Sequence, residues 1–151
     1  MNRRHNAIGC AASAVVLAAC ASGPAQLYPG PPLERHQVAL LQLEKPSGAN
    51  LLAVDDERVA GKSWYVAPGQ HMIWVRARAS GRQFYLRYRV VGYCLMRFEA
   101  APGGTYTLAP EIRKTVTAGA IQVDVGVKLS DQTGTVVAET APCLGDRPSL
   151  D

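Results

Sequence analysis

The chain has 151 residues, 16 Lys and Arg against 12 Asp and Glu, and a formal net charge of +4. With 48% of its residues hydrophobic and 19% charged, it can bury a core, which excludes a disordered chain, and its length leaves room for one domain rather than two. It shows no internal repeat, so solenoids and propellers are excluded as well. The chain opens on Asn2, Arg3, Arg4 and His5, then runs from Ala7 to Ala19 broken only by Gly9, Cys10 and Ser13. This is a basic segment followed by an apolar one of signal-peptide length, too short for a stable membrane-spanning helix. A Gly- and Pro-rich tract without helix-capping residues follows, which argues against a buried helix of the fold.

The apolar run ends in Leu17-Ala18-Ala19-Cys20, which resembles the lipobox of bacterial lipoproteins. Cys10 is a poor rival, because Ala7 stands where the box takes a large aliphatic residue. The resemblance implies that residues 1–19 are removed as a signal peptide. It also implies that the Cys20 thiol carries a diacylglycerol and the new amine a third acyl chain. At about 0.8 kcal/mol per buried methylene, several chains make a permanent membrane anchor where one would be marginal. Arg3-Arg4 lacks the bulky apolar pair of a twin-arginine signal, so the general secretory route is expected. Ala21 follows the cysteine in place of the aspartate that marks inner-membrane retention, so the resemblance implies the outer membrane, on its periplasmic side. Residues 20–32, with Ser22-Gly23-Pro24, Pro29-Gly30 and Pro31-Pro32, read as a flexible tether reaching at most about 40 Å at roughly 3.3 Å per residue.

Residues 33–151 then form the folded domain. With Cys10 lost and Cys20 acylated, Cys94 and Cys143 remain as a pair in an oxidising compartment, and a disulfide between them is expected. Period-two alternation runs through the domain, and no window of helical length keeps a 3.6 period. His36 to Glu44 reads as a first strand, Asn50 to Asp55 as a second, and Lys62 to Val66 as a short third after a turn at Asp55-Asp56-Glu57. Pro68-Gly69 turns the chain into His71 to Ala79, where Ile73, Val75 and Ala77 share one face while Met72, Trp74, Arg76 and Arg78 share the other. Gly81 reads as a break before Gln83 to Val91, with Phe84, Leu86, Tyr88 and Val90 opposed to Tyr85, Arg87 and Arg89. Gly92 reads as a second break before Cys94 to Ala100, and Pro102-Gly103-Gly104 as the next turn. Thr105 to Ala109, a long strand marked by Ile121, Val123, Val125, Val127 and Leu129, a hairpin at Asp131 to Gly134, and Val136 to Ala141 complete the chain. Short strands at this spacing predict an all-β fold, a single small antiparallel β-sandwich.

The segment from Val54 to Ala77 resembles the PEGA-type module of bacterial surface and periplasmic proteins. Val54, Asp55, Gly61, Pro68, Gly69, His71, Ile73 and Val75 match it in type and order. Asp56 stands where that module has its turn glycine. The resemblance implies a small β-sandwich with a binding or structural role.

Signatures of chemistry are missing: the sequence contains neither Gly-x-Ser-x-Gly nor His-Glu-x-x-His. His36 and His71 lie on separate strands without cysteine or carboxylate at metal-ligand spacing, so no metal, cofactor or catalytic residue is expected. Asp55-Asp56-Glu57 lacks the alternating oxygen ligands of a calcium loop and sits where a hairpin needs polar residues. Trp64 and Trp74 read as packing residues of the sheets rather than sugar-stacking platforms. The feature that remains is an acid-free interval between Glu57 and Glu99 containing Lys62, Arg76, Arg78, Arg82, Arg87, Arg89 and Arg97. Alternation sends Arg76, Arg78, Arg87 and Arg89, with Trp74 and Tyr85, away from the core. They form either a solvated sheet face that needs charge for solubility or a candidate face for an anionic envelope component or an acidic protein; nucleic acid is not expected in that compartment. The sequence therefore predicts a lipid-anchored, non-catalytic binding or scaffolding module. The competing reading is a small envelope hydrolase or carbohydrate-processing factor, with a concave site lined by Asp55, Asp56, His71 or Glu99.

Overall fold

A computed structural model describes residues 23–45, 48–83, 86–117 and 120–144. Two sheets pack face to face, as the alternation requires. The chain forms β1 (Ala25–Gln26), a 3-10 turn (Arg35–Gln37), β2 (Ala39–Leu43), β3 (Ala49–Val54), β4 (Glu57–Arg58) and β5 (Ser63–Val66). Four long strands follow, β6 (Gly69–Gln83), β7 (Leu86–Ala100), β8 (Thr105–Thr117) and β9 (Ala120–Asp131), and β10 (Val136–Thr140) ends the series. One sheet has the order β1-β5-β2-β8-β9-β10 and the other β4-β3-β6-β7. The fold is all-β and mostly antiparallel. The exceptions are β1 beside β5 and β2 beside β8, which are parallel because the chain changes sheet between each pair of partners.

The core is built from the inward-facing half of each strand. Leu41 and Trp64 from one sheet meet Ile73, Val75 and Ala77 from the other, and Leu108, Val127 and Leu129 close the layer, all fully buried. Trp64 is a core residue, its indole N–H donating to the Ala60 carbonyl at 2.9 Å; a buried indole needs such a partner.

The strands are fewer and longer at the centre than the glycines suggest. Gly81 and Gly92 do not break the chain: β6 and β7 pair without interruption from Gly69 opposite Ala100 to Gln83 opposite Leu86. At Gly92 the absent side chain leaves room for the C-terminal segment, since a Cβ there would lie 2.7 Å from Cys143 Cβ and 2.9 Å from Val125 Cγ1. Pro110 likewise lies inside β8. Leu108 offers its carbonyl to Glu44 N at 2.8 Å, so the even residues of β8 aim their backbone groups toward β2. That strand ends at Leu43, so the N–H that Pro110 lacks would have had no partner.

Both open sides of the sandwich are closed by terminal segments. At one side, β1 pairs with β5 and Leu27 N donates to Tyr65 O at 2.9 Å. Gln26 Nε2 donates to the carbonyls of Tyr28 and Gly30, each at 2.8 Å, and Arg35 donates to Thr105 Oγ1 at 2.8 Å. The stretch expected to be a free tether is therefore a strap from Ala25 onward, and a 40 Å reach is not available to it. At the other side Cys143 N donates to Val125 O at 2.9 Å, and Tyr93 and Leu144 exchange backbone hydrogen bonds at 2.7 and 3.1 Å. Cys143 is bonded to Cys94 of β7, with the Cα atoms 4.7 Å apart. The expected disulfide is present, and it joins the two sheets.

Candidate binding face

Residues directly opposite one another in an antiparallel pair point to the same side of the sheet. In β6 and β7 the facing pairs are Met72 and Arg97, Trp74 and Leu95, Arg76 and Tyr93, Arg78 and Val91, Ser80 and Arg89, and Arg82 and Arg87. The intervening residues Ile73, Val75, Ala77, Cys94, Met96 and Phe98 are the buried ones, so these pairs form the outer surface. Arg76, Arg78, Arg87, Arg89 and Trp74 are thus brought together, as the alternation predicts. Tyr85 lies outside the described residues, as does Cys20. Sequence reasoning had left Arg82, Arg97, Tyr93, Val91 and Leu95 off this face. Their signal lies in the odd-even pattern, but Gly81 and Gly92, which read as breaks in the sequence, conceal that one ribbon carries them all.

The arginines are held without carboxylates. β3 lies beside β6 with Asn50 opposite Arg76. With its carboxamide oxygen turned toward them, Asn50 accepts from Arg76 Nη2 at 3.0 Å and from Arg78 Nη2 at 2.9 Å. Arg76 Nε is buried and has no hydrogen-bond partner among the described residues. The ion pairs found among the described residues involve Arg113, His71 and His36, and none includes an arginine of this face. Arg82 and Arg87, directly opposite each other, are a like-charge pair, an arrangement that costs stability in a sheet.

The residues of the competing reading are not gathered. Asp55 and Asp56 both adopt positive φ, 49° and 67°, and form the two-residue type I′ turn between β3 and β4; Asp56 fills the place of a turn glycine because Asp tolerates the left-handed region. Asp55 is fully engaged, with Oδ2 2.6 Å from His71 Nδ1 and Oδ1 accepting from Met72 N at 2.8 Å. His71 Nε2 lies 2.7 Å from the Ala67 carbonyl, and its ring packs 5.8 Å from that of Phe98. Both ring nitrogens are taken, so the pair clamps two turns together. Glu99 lies opposite Gln70 at the end of the outer face, beside Arg97, while His71 is turned to the inner side. His36 is exposed in the 3-10 turn, 3.3 Å from Glu34. Among the described residues no three His, Cys, Asp or Glu side chains are grouped to hold a metal ion.

No protein-family model, curated protein or solved structure matches this chain.

Proposed function

We propose that this protein is a lipid-anchored module of the bacterial cell envelope, fixed through Cys20 on the periplasmic side of the outer membrane, whose β-sandwich binds an anionic partner without catalysing a reaction. The lipobox and the PEGA-like stretch support the compartment and the class of module. One observation carries the binding role: a ribbon of arginines on the outer face of β6 and β7, with Arg82 opposite Arg87 and no carboxylate paired to any of them among the described residues. Such a cluster repels itself until an anion covers it. Recognition by guanidinium groups suits phosphate or carboxylate, and exposed charges are screened over roughly 8 Å at physiological salt.

The test is retention of the full chain by envelope fractions at low salt. Wild-type protein is retained and released as salt rises, and Arg87→Glu combined with Arg89→Glu is not retained. Equal retention of the two would leave the arginines as a solvated surface. Anchoring is tested separately: Cys20→Ser leaves unprocessed precursor, whereas a wild-type protein recovered soluble and without acyl chains overturns it. Because β1 begins at Ala25, the chain between Cys20 and the sandwich spans no more than about 17 Å at roughly 3.3 Å per residue, so an anchored domain would stay close to the bilayer.

A further inference from the structure

The outer face of β6 and β7 is not uniformly charged. Val91 and Leu95 are 37% and 38% exposed, and Met72, Trp74 and Tyr93 are half-buried beside them. They alternate with Arg97, Arg76 and Arg78 in the facing pairs, and the ribbon continues through Ser80 and Arg89 to Arg82 and Arg87. From Met72 to Arg82 it runs roughly 34 Å at about 3.4 Å per residue. β3 flanks the ribbon along β6, and β10 lies beside β7, where Thr140 Oγ1 donates to the Leu95 carbonyl at 3.2 Å. The site is thus a long two-stranded ribbon with cations and amphipathic aromatic and aliphatic groups intermixed.

A surface whose task is solubility has no use for exposed leucine and valine beside a half-buried tryptophan among its charges. An acidic protein partner would call for a shaped apolar centre with charges at the rim, whereas here the two are interleaved along the whole lower half. Tryptophan and tyrosine with arginine at one level are what the boundary between headgroups and acyl chains accepts, because each ring has an apolar body and a polar edge and each guanidinium can hold phosphate. An extended surface of anionic headgroups also matches the length of the ribbon, since the attraction grows with every cation brought to the surface. Asn50 adds preorganisation by fixing Arg76 and Arg78 before any ligand arrives.

We propose that the outer face of β6 and β7 lies flat on an anionic lipid surface, its arginines on headgroup phosphates and Trp74, Leu95 and Val91 at the edge of the acyl region. This rests on the binding role given to the same face above, and specifies the partner.

Trp64 and Trp74 are the only tryptophans of the chain, and Trp64 is fully buried, so lipid-borne quenching reports on Trp74 wherever the N-terminal segment sits. The full chain is mixed with vesicles of brominated phosphatidylcholine, with and without phosphatidylglycerol. Quenching is expected with phosphatidylglycerol, is reversed by high salt, and disappears in Trp74→Phe and in the Arg87→Glu, Arg89→Glu double variant. Both arginines are exposed, and unchanged Trp64 emission shows that the double variant is folded. Equal quenching with and without phosphatidylglycerol overturns recognition of anionic lipid. Absence of quenching, with arginine-dependent retention of the same protein on a dextran sulfate resin, overturns the lipid surface but leaves an anionic partner standing. Absence of both overturns the binding face altogether.

Discussion

On the outer side of β8 and β9, Arg113 stands opposite Asp124 and is paired with Glu111 at 3.1 Å and with Glu139 of the next strand. On the outer side of β6 and β7, Arg82 stands opposite Arg87 and Arg89 opposite Ser80. The two hairpins are otherwise alike: each runs for a dozen residues or more and turns one apolar face inward. The first shows how this chain keeps an exposed sheet face in water, with both signs interspersed. The Arg113 guanidinium is held above its ordinary value, chiefly by its hydrogen bond to Glu111 and the attraction of that carboxylate, with Glu139 adding to it. The same strategy was open to β6 and β7 and is not used there. From Met72 and Arg97 to Arg82 and Arg87 their outer surface carries charge of one sign, with Glu99 only at its end.

What joins the hairpins offers the largest way to disturb the comparison. Cys94 belongs to β7, and Cys143 is hydrogen-bonded along β9. Their separation of 49 residues makes the cross-link worth about 4 kcal/mol in the chain-entropy model. Cys94→Ala with Cys143→Ala should lower the urea-unfolding free energy by about that amount, a large share of the ~5–15 kcal/mol of a small domain. A loss below about 1 kcal/mol would mean that the hairpins hold each other through packing alone.

Next in size is Gly92→Val. The side chain would enter space already occupied by Cys143 Cβ and Val125 Cγ1, and overpacking of this kind costs about 1–3 kcal/mol. The penalty should fall once the C-terminal segment is freed by removing the disulfide. An equal penalty in both backgrounds would show that the strand itself, and not the staple, objects to the side chain.

How far the sequence discloses these features depends on the kind of signal. Faces are legible, because a side-chain period of two needs no knowledge of neighbours, and Ile73, Val75, Arg76 and Arg78 all fall where alternation puts them. Strand ends are less so. Gly81, Gly92 and Pro110 look like punctuation in one dimension, yet each is tolerated for a reason that lies in another strand: Tyr88 fills the place beside Gly81, Cys143 comes close to Gly92, and β2 stops short of Pro110. The N-terminal strap was hidden in the same way. Pro29, Gly30, Pro31 and Pro32 resist regular structure, but Leu27 packs on the core and the backbone borrows its partner from β5. The candidate face was half legible: alternation sorts its arginines, while the register that sets Arg82 against Arg87 and Asn50 beside Arg76 exists only once the strands are paired.

A smaller effect distinguishes the hairpins by sign. Arg87→Thr removes one member of a like-charge pair with Arg82 and should stabilise the domain by a few tenths of a kcal/mol at low salt, the scale of opposed cross-strand charges. Arg113→Thr removes the shared partner of Glu111 and Glu139 and should destabilise it. Thermal unfolding at low ionic strength reads both, and high salt should shrink both. Two changes of the same sign would mean that the face on β6 and β7 is balanced by charges elsewhere, and would remove the contrast on which its binding role rests.

The smallest effect is confined to acid. In the turn from β9 to β10, Asp131 Oδ1 accepts from Thr133 N at 2.8 Å, Thr133 Oγ1 at 2.6 Å and Thr135 N at 3.0 Å. These bonds, that from the Thr133 hydroxyl foremost, hold the carboxyl below its ordinary value. A carboxyl depressed by folding contributes stability that is fully present above its unfolded value, about 3.9, and is lost as the pH falls through the lower folded one. The stability difference between wild type and Asp131→Asn should therefore be constant from neutral pH down to that range and shrink below it. From Gly69 to Phe98, β6 and β7 carry no acidic residue, and Glu99 lies at the end of the ribbon away from Arg76 and Arg78, so the arginines there repel one another unchanged. Acid should accordingly loosen the β9–β10 turn before the β6–β7 ribbon, with amide exchange at Thr133 and Thr135 rising relative to that at Arg76 and Arg78. The reverse order would place the weaker hairpin on the arginine side, with charge repulsion outweighing the lost carboxylate bonds of the turn.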